Sequence, residues 1–131
     1  MIDFLKNNMW LEHGIDYLLR RKNFRTMCGI YVLGHSGVQH EIDNIADFAS
    51  ENLRILCECK NQDITVNEVF IFSGKMSDIG CTRGYIFTTS FNINKEIVQL
   101  ARSKNITIVE SVLEKKENKI IEEIKEGTNK N

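Results

Sequence analysis

Proline is absent from this chain, and so are low-complexity stretches and internal repeats. Nothing of linker composition therefore divides its 131 residues, a length that suits one domain spanning residues 1–131. No apolar run approaches the length of a membrane span, so no transmembrane segment is expected. The N-terminal Met-Ile-Asp-Phe-Leu-Lys-Asn-Asn lacks the basic start, apolar centre and small-residue cleavage site of a signal peptide, and the expectation is a cytoplasmic protein. An excess of one charge is missing too. With 17 basic and 18 acidic residues the net charge is −1, which gives no global pull toward nucleic acid. The 4 cysteines do not make a disulfide scaffold in such a chain. A zinc site built from Cys28, Cys57, Cys59 and Cys81 is disfavoured, because Cys-x-Cys on a strand splays its thiols poorly for tetrahedral binding. What remains is an ordinary globular composition, 42% hydrophobic and 27% charged.

Apolar periodicity places the elements. Residues 3–22 read as a helix with Leu11, Ile15, Leu18 and Leu19 on one stripe and Glu12 bordering it. Gly14 weakens its middle turn. Arg20, Arg21, Lys22 and Arg25 then form a basic cluster, suited either to phosphate contacts or to the negative end of the helix dipole. Thr26 to Leu33 is a strand, followed by the turn Gly34-His35-Ser36-Gly37, where glycine lets backbone approach a ligand or phosphate closely. Thr65 and Glu68 have the spacing of a capping box. They open a helix whose expected buried stripe is Val66, Val69, Phe70, Ser73 and Met76, widened by Ile71 and Phe72. Gly84 to Thr89 reads as a central strand, Asn94 as the cap of a helix, and Ile106 to Val109 as a last short strand. A C-terminal helix is expected at about 113–126, ending at Gly127, with Thr128 to Asn131 frayed. The order implies one α/β domain, a mixed sheet with helices on both faces.

The most informative stretch lies between Gly34 and Lys60. It reads as a β-hairpin turning at Ser50-Glu51, a register that sets Asp43 opposite Glu58 and Glu41 opposite Lys60. Strict alternation would put those four on one face and Ile42, Ala46, Phe48, Leu53, Ile55, Cys57 and Cys59 on the other. Facing carboxylates repel, and folding alone gives no reason for them. A divalent cation removes the repulsion, and Mg2+ takes one or two carboxylates together with water and phosphate oxygens. A lysine beside it would orient an attacking water. Glu-x-Lys also occurs three times between Glu114 and Lys125, where it reads as solvent-facing charge, so position rather than the tripeptide carries the signal. The plain alternative is exposed charge, with Lys60–Glu41 and Arg54–Asp47 as cross-strand pairs.

Gly-His-Ser-Gly-Val-Gln-His-Glu-Ile-Asp, then Cys-Glu-Cys-Lys-Asn, resembles the PD-(D/E)xK nuclease superfamily, most nearly the Mrr-type restriction endonuclease catalytic domain. The later Gly-Tyr-Ile-Phe-Thr-Thr-Ser-Phe and Asn-Ile-Thr-Ile-Val-Glu are similar to that branch's second half, so the likeness covers about residues 8–110. The resemblance implies a restriction-endonuclease-like mixed sheet flanked by helices, with core order α-β-β-β-α-β. It implies metal ligation by Asp43, Glu58 and the Cys59 backbone carbonyl, with Lys60 positioning the water and Glu12 as the acid on the first helix. Leu11 stands where an aromatic residue usually precedes that acid, and Glu41-Ile42 replaces the family's proline before Asp43. The activity implied is Mg2+- or Mn2+-dependent endonucleolytic cleavage of DNA. Ser36, Gly37, Arg20, Arg21, Lys22 and Arg25 are the expected DNA contacts. A homodimer and a separate specificity subunit are the partners this reading admits. The competing classes are a junction-resolvase-like enzyme, a silent nuclease-like module that binds DNA or protein, and a small ligand-binding domain using Gly34 to Gly37 as an anion loop.

Overall fold

The computed structural model describes residues 9–48, 53–112 and 119–124. Helix α1 (Met9–Arg21) precedes three antiparallel strands, β1 (Arg25–Leu33), β2 (Gln39–Phe48) and β3 (Leu53–Lys60). Helix α2 (Val66–Ile79), strand β4 (Arg83–Thr88), helix α3 (Lys95–Ser103) and strand β5 (Ile106–Val109) follow as two crossover units. The sheet order is β1-β2-β3-β4-β5, antiparallel through β3 and parallel from β3 to β5. This is the expected mixed sheet. The parallel half is the more buried, as strands covered on both faces must be.

Two apolar layers sandwich the sheet. Leu11, Ile15, Leu18 and Leu19 of α1 pack on Ile55, Cys57 and Cys59, joined by Ile120, Ile121 and Ile124 of the helical segment 119–124. The Tyr85 hydroxyl donates to the Ile124 carbonyl at 2.7 Å, tying that segment to β4. On the opposite face, Val69, Phe72, Met76 and Ile79 of α2 and Ala101 of α3 cover Leu56 and Ile86. Among the described residues no helix is long and apolar enough to cross a membrane. Residues 3–8, the Ser50-Glu51 turn and the outer parts of the C-terminal helix lie outside the described residues.

Two expectations need correction. The buried stripe of α2 is Val69, Phe72, Met76 and Ile79, whereas Val66, Phe70 and Ile71 are about half exposed. The helix settles where the sheet offers space, and that space is Gly84 of β4. A Cβ there would stand 2.6 Å from both Met76 Sδ and Phe72 Cε2. Phe70, turned outward, lies under the Lys104 ammonium at 5.2 Å. Gly84→Ala is accordingly expected to overpack this layer and cost about 1–3 kcal/mol in chemical denaturation. Unchanged stability would show that α2 does not rest on Gly84.

The second correction concerns β2. Ile42 and Ala46 do not share a face: Ile42 joins Ile45 in the α2 layer, and Ala46 lies in the α1 layer. The β1–β2 pairing runs to Cys28↔Asn44 and resumes at Ile30↔Ile42, leaving Gly29 and Asp43 unpaired between them. Gly29 adopts φ 62°, a left-handed conformation suited to glycine. The irregularity breaks the alternation of faces at Asp43.

Candidate metal and phosphodiester site

The expected β2–β3 register holds, from Phe48↔Leu53 to Asn44↔Cys57, and the ladder ends one residue short of Asp43 and Glu58. At that point a side chain replaces a backbone partner: Asp43 Oδ2 accepts from the Cys59 amide at 2.8 Å. The irregular residue therefore stays anchored, with its carboxylate held against β3.

Glu12 reaches the same place from α1. Its pKa is pushed up to about 8, chiefly by burial, then by the neighbouring Asp43 carboxylate and the charge of Glu41. The neighbouring backbone is fixed by Asn44, whose Nδ2 donates to the Glu12 carbonyl at 3.2 Å. Glu58 is also raised, first by burial, then with Lys60 and Lys75 opposing the rise and Asp43 and Glu68 adding to it. The structure thus brings Glu12, Asp43, Glu58 and Lys60 to one end of the antiparallel sheet.

Two residues that sequence reasoning did not assign complete the arrangement. Lys75 of α2 places Nζ 3.6 Å from Glu58 Oε1 and donates to the Glu41 carbonyl at 3.3 Å. Glu68 holds Lys60, with Nζ to Oε2 at 2.8 Å. Its other oxygen, Oε1, accepts from the Thr65 amide and hydroxyl, both at 3.0 Å, so one carboxylate serves the capping box and the lysine together. Burial lowers the Lys60 pKa, but the Glu68, Glu58 and Asp43 carboxylates outweigh it, leaving a net rise and a cationic amine. Of the two plain cross-strand pairs, Arg54–Asp47 forms, at 2.7 Å, while Lys60 turns to Glu68 rather than Glu41.

The donor set suits a hard dication. Burial and the neighbouring Asp43 and Glu41 charges make Glu12 keep a proton that a free carboxylic acid has already lost below neutrality, and a divalent ion would supply the missing positive charge instead. Among the described residues no three His, Cys, Asp or Glu side chains form a ready metal cage. Mg2+ does not require one, because substrate and water oxygens fill its remaining positions. All four cysteines are free thiols, and Cys57 and Cys59 are buried in the α1 layer, where they pack as small apolar groups.

The Glu12–Asp43 pair predicts a pH dependence. Between the ordinary carboxylate value of 4.5 and about 8, the folded state keeps a proton that the unfolded chain releases. Glu12 thus contributes stability fully below pH 4.5, and that contribution is lost as pH rises to about 8. Glu12 is only partly buried, so solvent screens the effect and a shift of only a few degrees in melting temperature is expected. Glu12→Gln should flatten the slope in metal-free melts, and an identical slope in the variant would contradict the pairing.

The expected basic DNA contacts lie elsewhere. Arg25 pairs across the sheet with Asp47, which pairs with Arg54, six residues or about 20 Å along β3 from Lys60. Arg20 donates to Asp16 and to the Thr26 carbonyl, each at 2.9 Å, Arg21 lies 5.7 Å over the Tyr17 ring, and Lys22 is exposed. Ser36 is engaged as well. Its amide and hydroxyl donate to Asp78 at 2.8 and 2.6 Å, and His40 Nε2 meets the same carboxylate at 2.7 Å. The Ser36 hydroxyl, then His40, then the Ser36 amide hold Asp78 down to about 2. The turn does bind an anion, and that anion is Asp78 of the chain itself. Gly37, at φ 90°, has open space around it.

Comparison with known proteins agrees with this architecture. The restriction endonuclease family model Mrr_cat matches residues 8–112. The fold is similar to the crystal structure of protein VC1899 from Vibrio cholerae, with a TM-score of 0.71 and 13% sequence identity. The match covers 95% of this chain and 36% of that one, so the chain spans about a third of its structural relative. No curated protein matches the sequence.

Proposed function

The chain belongs to the Mrr-type restriction endonuclease family, and on that footing we propose that it is a metal-dependent endonuclease that hydrolyses DNA phosphodiester bonds. The observation that carries the reading is the Asp43 carboxylate held on the Cys59 amide at 2.8 Å, at the strand end that carries Glu58 and Lys60. Asp43, Glu58 and the Cys59 carbonyl would hold Mg2+ or Mn2+, with Glu12 as the neighbouring acid. When bound, the ion supplies positive charge against the phosphoryl oxygens and acidifies water.

The chain's own groups account for the rest. Lys60, fixed by Glu68, presents a cationic Nζ that orients the attacking water in line with the scissile bond. Lys60 and then Lys75 oppose the rise that burial imposes on the Glu58 pKa. Glu12 holds its proton beside the Asp43 and Glu41 charges, and a bound cation would lower its pKa and favour the carboxylate. The basic cluster from Arg20 to Arg25 would meet phosphates some distance from the cut, and a homodimer or a specificity subunit would supply further contacts.

A second reading, a catalytically silent DNA- or protein-binding module, is favoured by one observation: Lys60 is bound by Glu68. Calorimetric titration with Mn2+ tests the metal site without requiring turnover. The proposal expects binding by the wild type and its loss in Glu58→Gln. Wild-type protein that takes up no Mn2+ would sink the reading.

A further inference from the structure

The loop after β4 carries an aromatic side chain that the fold does not use. Phe91 is 65% exposed, although the residues around it are fixed. The Thr89 amide donates to the Lys60 carbonyl at 3.1 Å and its hydroxyl to Asn61 Oδ1 at 2.9 Å. The Ser111 amide donates to the Ser90 carbonyl at 2.8 Å. Beyond Phe91, Ile93 is buried with its amide bound to Glu110 at 3.1 Å, and Asn94 caps α3. Phe91 is thus held outward by a loop anchored on both sides.

A single exposed aromatic is unremarkable in itself, and its position gives this one meaning. Thr89 touches Lys60 through the backbone, and Phe91 follows two residues later, its Cα within about 7 Å of that of Thr89. The loop that carries this exposed aromatic therefore adjoins Lys60, at the end of the sheet where the acids gather. The adjoining groove is lined by Lys95 and Arg102 on one side of the charge balance and Glu110 and Glu123 on the other. Opposed charges there offer a phosphate chain no net attraction, so the useful contact at this position is apolar. Every nucleobase has a π-face and stacks on aromatic side chains regardless of sequence. A base reaches such a side chain only after leaving the helical stack, which is easiest where it is unpaired.

We infer that Phe91 is the stacking face for a nucleobase displaced beside the scissile phosphate. The preferred substrate class is then DNA with an unpaired base at that point, such as a gap, mismatch or branch. The inference rests on the nuclease reading for its choice of ligand, and it concerns binding rather than chemistry.

The test measures binding in EDTA, so that no cleavage is needed, to a duplex containing 2-aminopurine and to the same duplex with the strand opposite that base gapped. Wild-type protein is expected to prefer the gapped DNA and to quench its fluorescence. Phe91→Ala should lose about 5- to 150-fold affinity for the gapped DNA with little change on the paired duplex, the range expected for one stacked base. Phe91→Trp should restore both signals and Phe91→Leu neither. Equal gapped-DNA affinity for wild type and Phe91→Ala overturns the proposal, as does an equal loss on both DNAs. Self-association that Phe91→Ala abolishes overturns it in favour of a protein contact. Protein that stacks the base in EDTA yet cuts nothing with metal refutes only the catalytic reading. Wild-type protein that cuts with metal yet shows no preference for the gapped DNA in EDTA refutes only the stacking, and absence of any DNA binding refutes both.

Discussion

Lys60→Ala is expected to slow metal-dependent DNA cleavage by about 100- to 1,000-fold with the fold intact, the usual cost of losing one group aimed at the transition state. Lys60 ends β3 and belongs to neither apolar layer of the core, its amine being engaged by Glu68. Its partner Glu68 keeps both Thr65 contacts after the change, and the start of α2 therefore survives. Single-turnover cleavage rates alongside thermal melts separate the two effects. A rate equal to that of the wild type would assign Lys60 to the Glu68 ion pair alone and leave the site without its water-positioning group.

Asp43→Asn is expected to abolish metal-dependent cleavage altogether while stabilising the metal-free protein. The amide oxygen of asparagine can still accept from the Cys59 amide, so the strand junction keeps its hydrogen bond. What disappears is a negative charge facing Glu12 and Glu58, whose raised pKa values both register its presence. Removing that repulsion should raise the metal-free melting temperature near neutral pH. The same change removes the charged oxygen that a hard dication needs. Added Mg2+ should then stabilise the wild type and leave the variant unmoved. A variant that cuts as fast as the wild type would remove Asp43 from the site. One destabilised without metal would show that the carboxylate serves the fold rather than the chemistry.

The parts of this site that follow local rules were legible in the sequence. Facing acids on a hairpin can be found from turn position and alternation, and the resulting register matches the observed pairing through Asn44↔Cys57. Glu12 was legible because a carboxylate bordering a buried stripe faces whatever the helix covers, here β1, β2 and β3. The capping box was legible from Thr65 and Glu68 alone, and that success concealed something. Once the spacing had explained Glu68, nothing in the sequence showed that its second oxygen reaches Lys60.

The rest depends on packing between distant segments. Lys75 meets Glu58 only because α2 lies across that face of the sheet. Asp78 fills the Gly34–Gly37 turn from the far end of the same helix, a contact separated from His40 by 38 residues. The α2 stripe was misread because apolar periodicity shows which residues are able to face the sheet. The space above Gly84 decides which of them do. Ile42 was misassigned for a related reason. A break at Asp43 opposite a left-handed Gly29 switches faces, and neither residue announces this by type.

The most direct measurement of the central claim is cleavage by the purified wild-type protein of supercoiled, linear, methylated and four-way-junction DNA, each with Mg2+, Mn2+ or EDTA. The account predicts nicked or linear product from at least one of these DNAs with either metal, and none in EDTA. Intact DNA under every metal, or product that persists undiminished in EDTA, would contradict it.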